Sequence, residues 1–129
     1  MKYLLDSNVW IEAAGGVDHA LRAIRLATEG EWAGYSAITR LELLGFPDLK
    51  PEEETQLLSL LKLFSEVAVT SAVVDRAIGI RRKRTVKIPD ALIATTALVN
   101  GCALVTRNID DFRGIDGLTL IDPVNMPEA

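Results

Sequence analysis

Short apolar runs alternate along this chain with segments whose apolar residues recur at helical spacing. Residues 2–5 read as a strand stopped by Asp6. Ser7 is placed to cap a helix carrying Val9, Trp10 and Ile11, which Gly15-Gly16 closes. Asp18 is placed to cap a second helix, with Leu21, Ile24 and Leu26 on it and Gly30 beyond its end. Residues 32–36 read as a strand and 38–44 as a helix ended by Gly45 and Pro47. Pro51 and three glutamates open a longer helix, with Leu57, Leu58, Leu60, Leu61 and Phe64 as its expected apolar face. A strand over 67–69, a helix over 71–84 and a helix from Pro89 to Asn100-Gly101 follow. The last of these has almost no polar residue between Ala91 and Val99, the pattern of a helix buried all round. Residues 103–106 read as a strand, 109–112 as a turn of helix and 118–121 as a final strand. Strands alternating with helices predict an α/β fold with a mostly parallel central sheet flanked by helices.

At 129 residues and 49% hydrophobic, the chain suits a single domain over 1–129 that needs no disulfide or structural metal to fold. The one cysteine, Cys102, excludes a disulfide framework and a four-cysteine zinc site, and its apolar neighbours mark it as a core residue. The lone His19 is expected on an exposed helix face, so Ser-His-Asp and Cys-His hydrolysis are disfavoured. With no long apolar stretch and no signal-peptide core, a cytoplasmic protein without membrane contact is expected. The net charge of −4 argues against bulk nucleic-acid affinity, but its distribution changes that picture. Arg76 to Lys87 carries six positive charges and no negative one, five of them in Arg81-Arg82-Lys83-Arg84-Thr85-Val86-Lys87.

Parallel α/β sheets bind ligands beyond the carboxyl ends of their strands. Asp6 follows the first strand, Glu42 lies six residues after Ser36, Asp90 opens the apolar helix, and Asn108, Asp110 and Asp111 follow Thr106. Each has an ordinary explanation. Asp6 can cap a helix, Asp90 can complement a helix dipole for under about 1 kcal/mol, Glu42 can be a surface charge, and Asp110 and Asp111 can be loop acids. Together they are harder to dismiss, because Asp6 interrupts an apolar run and Asp90 begins an otherwise apolar helix. Converging carboxylates repel unless something compensates them, and a bound cation does so. An all-oxygen set without His or Cys selects Mg²⁺, with Mn²⁺ able to substitute. Such a site beside a basic run suits phosphodiester hydrolysis, with the basic side chains on phosphates. The alternative for that run is a solvated helix end. As a helix face, Arg81 and Arg84 are expected to point together and Arg82 elsewhere.

These residues resemble the PIN-domain nucleases, and among them the VapC-type toxins of toxin–antitoxin pairs. The resemblance rests on Leu4-Leu5-Asp6-Ser7-Asn8, on Ser36-Ala-Ile-Thr39-Arg-Leu-Glu42-Leu-Leu-Gly45 and on Ile88-Pro89-Asp90-Ala91-Leu92-Ile93-Ala94-Thr95. It continues through Leu104-Val105-Thr106-Arg107-Asn108, Asp111-Phe112 and Asp122-Pro123, and so spans nearly the whole chain. It implies a three-layer fold and an Mg²⁺-dependent endoribonuclease acting on RNA. Asp6, Glu42 and Asp90 are its implied catalytic metal ligands. Many PIN domains carry an acid directly after the Thr-Arg pair, where this chain has Asn108; the implied catalytic set keeps Asn108 there, with Asp111 the implied source of the missing carboxylate, directly or through water, and Asp110 a weaker one. Ser7, Thr39 and Thr106 would orient carboxylates or water from behind the ligands, and Arg81, Arg82, Arg84 and Lys87 would bind RNA. A cognate antitoxin and a homodimer are implied partners. The leucines of residues 57–64 offer more apolar surface than one sheet face needs, though core packing can also claim them.

Two other classes compete. A PIN nuclease of RNA or DNA processing would lack an antitoxin. A non-catalytic α/β module with an acidic pocket, such as a phosphoacceptor domain, would need a lysine at the end of its last strand, where this chain reads Leu120-Ile121-Asp122-Pro123.

Overall fold

The structure is a computed structural model and describes residues 1–128. Its centre is a five-stranded sheet of β1 (Lys2–Leu5), β2 (Trp32–Ser36), β3 (Ser65–Val67), β4 (Cys102–Val105) and β5 (Leu120–Ile121), in the order β3-β2-β1-β4-β5. Every neighbouring pair is parallel. Between the strands run α1 (Ser7–Ala14), α2 (Asp18–Thr28), α3 (Ala37–Leu44), α4 (Pro51–Leu61), α5 (Ser71–Lys83), α6 (Ile88–Val99) and α7 (Ile109–Phe112), and a 3₁₀ turn, Pro123–Asn125, follows β5.

Side chains alternate across each strand, and that alternation divides the core. Tyr3, Leu5, Ala103 and Val105 face a cluster with Val9, Trp10, Ile24, Leu57 and Leu61. Leu4, Cys102 and Leu104 face the other way, onto Ile93, Ala97, Phe112 and Ile115. One layer of helices is thus α1, α2 and α4, and the other is α6 and α7, with α5 packed on α6. Helix α3 sends Leu43 into the first cluster and packs Ile38 against the second, so it straddles the sheet at the carboxyl end of β2. Among the described residues no helix is long and apolar enough to cross a membrane.

The three-layer architecture agrees with the sequence pattern, and several boundaries move. Asp6, not Ser7, caps α1: its carboxylate accepts the Ser7 N–H at 2.8 Å. Val17 rather than Asp18 occupies the cap position of α2. The third strand lies at Ser65–Val67 rather than 67–69, because Gly34, Tyr35 and Ser36 pair with Ser65, Glu66 and Val67. Of the five expected apolar positions on α4, Leu57 and Leu61 are buried, Leu58 is exposed, and α4 ends before Phe64. Helix α6 buries Ala91 and Ile93 through Ala97 but exposes Val99. His19 is half-buried rather than exposed, with its Nε2 3.2 Å from Glu12 Oε2. Cys102 is buried, and burial raises its thiol pKa, as suits an unreactive core residue.

Candidate active site

The strand order reverses at β1. The chain steps outward to β2 and β3 and then returns to place β4 on the other side of β1. The crevice beyond the carboxyl ends of β1 and β4 is therefore the topological switch point, where open α/β sheets bind ligands. Asp6 and Thr106 stand there, the first residue after each strand.

Asp6 is 5% exposed, an unusual position for an acid. Its Oδ1 accepts the Ser7 N–H at 2.8 Å, and its Oδ2 accepts the Thr106 hydroxyl at 2.9 Å. Asn8 Nδ2 reaches the same Oδ2 at 3.4 Å and Thr106 Oγ1 at 3.3 Å. Burial pushes the Asp6 carboxyl up to about 6, the Ser7 and Thr106 hydrogen bonds oppose that rise, and the charges of Glu42 and Asp90 add to it. Asp90 is also raised, by burial first and then by the charges of Asp111 and Glu42, with Lys87 opposing. Four carboxylates from four segments thus bear on one another across the crevice.

The other expected residues divide. Ser7 donates its hydroxyl to Glu42 Oε1 at 2.8 Å, which ties the start of α1 to α3. Thr106 orients Asp6 directly and accepts the Asn108 backbone N–H at 3.0 Å. Thr39 is fully buried and its hydroxyl has no hydrogen-bond partner among the described residues. Asn108 joins this network through its backbone. Asp110 is turned to solvent and pairs with Arg113 at 3.1 Å.

The basic run departs from the helix-face expectation. Arg84 lies past the end of α5 in extended backbone, so it shares no helix face with Arg81. Arg81 Nε donates to the Val86 carbonyl at 3.0 Å and Arg84 Nη2 to the Arg113 carbonyl at 2.6 Å. Arg82 and Lys87 are exposed, and Lys87 is the member whose charge reaches the acids.

Asn8 adds a contact to this site beyond the residues that the sequence pattern marks. Its Oδ1 accepts the Arg107 N–H at 3.1 Å, which aims its amide nitrogen at Asp6 and Thr106. A side-chain amide two residues after a strand-ending Asp was the available signal. Arg107 itself is held away from the crevice by Asp122 at 2.9 Å and Glu12 at 3.9 Å.

Among the described residues, no three Asp, Glu, His or Cys side chains stand close enough to close on one ion as they are placed. The donor chemistry nonetheless suits a hard cation. All the acids offer oxygen, Glu42 and Asp111 are exposed and can turn inward, and a carboxyl pushed up to about 6 by burial, with the charges of Glu42 and Asp90 adding, gains from a divalent charge.

The PIN domain family matches residues 3–118. The chain belongs to the PIN domain family. Solved structures share the fold over nearly their whole length. The structure of VapBC2 from Rickettsia felis bound to a DNA fragment from their promoter superposes with a TM-score of 0.83 at 23% identity, covering 94% of this chain and 98% of that one. A toxin–antitoxin complex from Klebsiella pneumoniae gives 0.78 at 29% identity, covering 99% and 100%. DNA-bound VapBC from Salmonella typhimurium gives 0.79 at 23%, covering 95% and 98%. No curated protein matches the sequence significantly. Within this PIN domain, the charges of Glu42, Asp90 and Asp111 bear on the crevice that Asp6 occupies, while Asp110 is turned to solvent.

Proposed function

We propose that this PIN domain is a Mg²⁺-dependent endoribonuclease acting in the cytoplasm as the toxin of a toxin–antitoxin pair. The observation that carries the reading is the buried Asp6 at the switch point, with Glu42, Asp90 and Asp111 bearing on the same crevice. Asp6, Glu42, Asp90 and Asp111 would hold Mg²⁺, with Mn²⁺ able to substitute. When bound, the ion supplies Lewis acidity toward a phosphodiester and acidifies a water. The chain's own residues do the positioning. Ser7 fixes Glu42, Thr106 and Asn8 fix Asp6, and the apolar floor of Leu5 and Val105 excludes water from behind the acids. Arg81, Arg82, Arg84 and Lys87 supply phosphate-binding charge. Asn108, exposed after the Thr-Arg pair and tied to Thr106 through its backbone, would complete the catalytic set.

An antitoxin fits the apolar cleft of about 360 Å³ between α1, α3 and α4. Leu43, Phe46, Leu49 and Leu57 line it and Glu42 stands on its wall, so a partner seated there reaches the acids. The Klebsiella pneumoniae neighbour, described as a toxin–antitoxin complex, supports an antitoxin as the partner. A homodimer completes the proposal.

The decisive experiment is RNA cleavage in Mg²⁺, in EDTA and with the Asp6→Asn variant. Cleavage is expected only from the unaltered protein with metal. Full activity in Asp6→Asn, or robust cleavage in excess chelator, sinks the mechanism.

A further inference from the structure

Away from the carboxylates, a cleft of about 490 Å³ lies between α5, the end of α6 and the loop after α7. Arg76, Lys83 and Arg84 line it, against a single acid, Asp116. Among the described residues none of these four pairs with an opposite charge. Three unpaired cations around one concavity concentrate positive potential there. Gly79 also lines it, in the interior of α5, where glycine is a poor helix former. A Cβ at Gly79 would meet nothing within 4 Å, so packing does not require the glycine. Its missing side chain leaves the cleft open.

Arg84 is fixed in place. A Cβ on Gly114, whose φ is +86°, would come within 2.8 Å of Arg84 Nη1, so the guanidinium lies against the loop backbone. Nη2 is held by the Arg113 carbonyl, while Nε is buried without a partner. That tie also locates the cleft. Arg113 is two residues, at most about 7 Å of chain, from Asp111. Beyond Arg84 the chain reaches Lys87, whose charge acts on Asp90. Leu98 in its lining stands eight residues from Asp90 on α6, so the cleft lies about 12 Å along that helix from the acid.

We propose that this cleft seats the sugar–phosphate backbone of the RNA strand flanking the cut, with Arg76, Lys83 and Arg84 meeting its phosphates. The proposal rests on the nuclease reading and adds Arg76 and Lys83 to the phosphate-binding set. With Nη2 tied to the Arg113 carbonyl and Nε buried, Nη1 is the Arg84 nitrogen left to donate to a phosphate oxygen. Such contacts set the strand's register without reading its sequence.

The test is binding of a short single-stranded oligoribonucleotide by the full chain in EDTA, followed by fluorescence anisotropy at several salt concentrations. The Arg76→Ala/Lys83→Ala double variant should lower the salt slope by about 1.4, at about 0.7 per lost contact. Gly79→Glu puts a carboxylate on a helix position whose Cβ meets nothing within 4 Å, and should weaken binding about tenfold or more through like-charge repulsion. Gly79→Ala and Lys62→Ala, the latter at the end of α4 in the opposite layer, should bind as the unaltered chain does. An unchanged slope in the double variant with unchanged affinity in Gly79→Glu overturns the proposal. If the unaltered protein still cleaves RNA in Mg²⁺, that result removes only the cleft. If it neither binds nor cleaves RNA, the nuclease reading falls as well. Unchanged RNA binding with weakened binding of a poly-glutamate peptide would give the cleft to an acidic protein segment, and also overturns it.

Discussion

Two groups of buried polar side chains meet their hydrogen-bonding needs in opposite ways. In the middle of α6, Thr95 and Thr96 are fully buried, and each donates its hydroxyl to a carbonyl one turn back, Ala91 at 2.8 Å and Leu92 at 2.7 Å. Their satisfaction is local and follows from the helix alone. In the crevice, Asp6, Asn8 and Thr106 satisfy one another across about a hundred residues of sequence, and the carboxylate at their centre stays disfavoured by burial first and by the charges of Glu42 and Asp90 after it. The first arrangement is what a core does with a polar group it must accommodate. The second spends stability to hold an acid where water is scarce, and a fold gains nothing from that unless a ligand arrives.

The comparison breaks most visibly at Asp6. Asp6→Asn should reduce cleavage by at least about 10²-fold, on the scale of losing a principal electrostatic group. The same variant should raise the metal-free melting temperature, because it relieves buried charge repulsion. A variant both inactive and less stable would place Asp6 in the ordinary structural group.

Acidity offers the next test. The folded Asp6 carboxyl takes up its proton at about 6, against 3.8 when unfolded. Between those values the folded state binds more protons, so metal-free stability should fall as pH rises from about 4 to about 6 and level off above. The fall should be on the order of 2–3 kcal/mol. Asp90, raised for the same reasons, acts in the same direction. Thermal melts from pH 4 to 8 should show the decline without Mg²⁺ and much less of it with saturating Mg²⁺. A flat metal-free profile would refute the strained-acid account.

A matched pair of substitutions sharpens the contrast. Thr106→Val keeps the shape but removes the hydroxyl on Asp6, and should lower cleavage about tenfold, roughly one hydrogen bond to a charge. Thr95→Val removes a local hydrogen bond of similar length. It should shift stability by no more than about 1 kcal/mol and leave cleavage unchanged. Equal effects on activity would mean that the two groups of threonines do the same job.

The sequence shows the acids of the crevice more readily than the residues that arrange them. Asp6 breaks an apolar run and Asp90 opens an apolar helix, so each is conspicuous in its own neighbourhood. Asn8 has no such mark, since the partner that orients it, the Arg107 N–H, is 99 residues away. The third strand lies two residues before the segment that apolarity marks, 67–69. Pairing with β2 chose Ser65–Val67, and register is a tertiary decision. The face assigned to Arg81 and Arg84 failed for a similar reason. Lys83 ends α5, and Arg84 is captured by a carbonyl in the loop after α7. Glu42 was legible only in part. Its spacing from Ser36 put it near the right edge, while the straddling of α3 brings it toward the other acids.

The place of β1 between β2 and β4 has a consequence in time as well as in space. A growing chain can pair β1 with β2 once residue 36 is free, but the other flank of β1 stays bare until β4 is made, with Leu4 waiting for Leu104. Thr106 and Asp111 come later still. Pairings this distant in sequence form slowly and after local ones. Asp6 and Glu42 are therefore synthesised early yet have no completed crevice to act in. On this topology the carboxylates converge only after the chain has emerged past β4 and Asp111, so the crevice is withheld from the ribosome-bound chain until then.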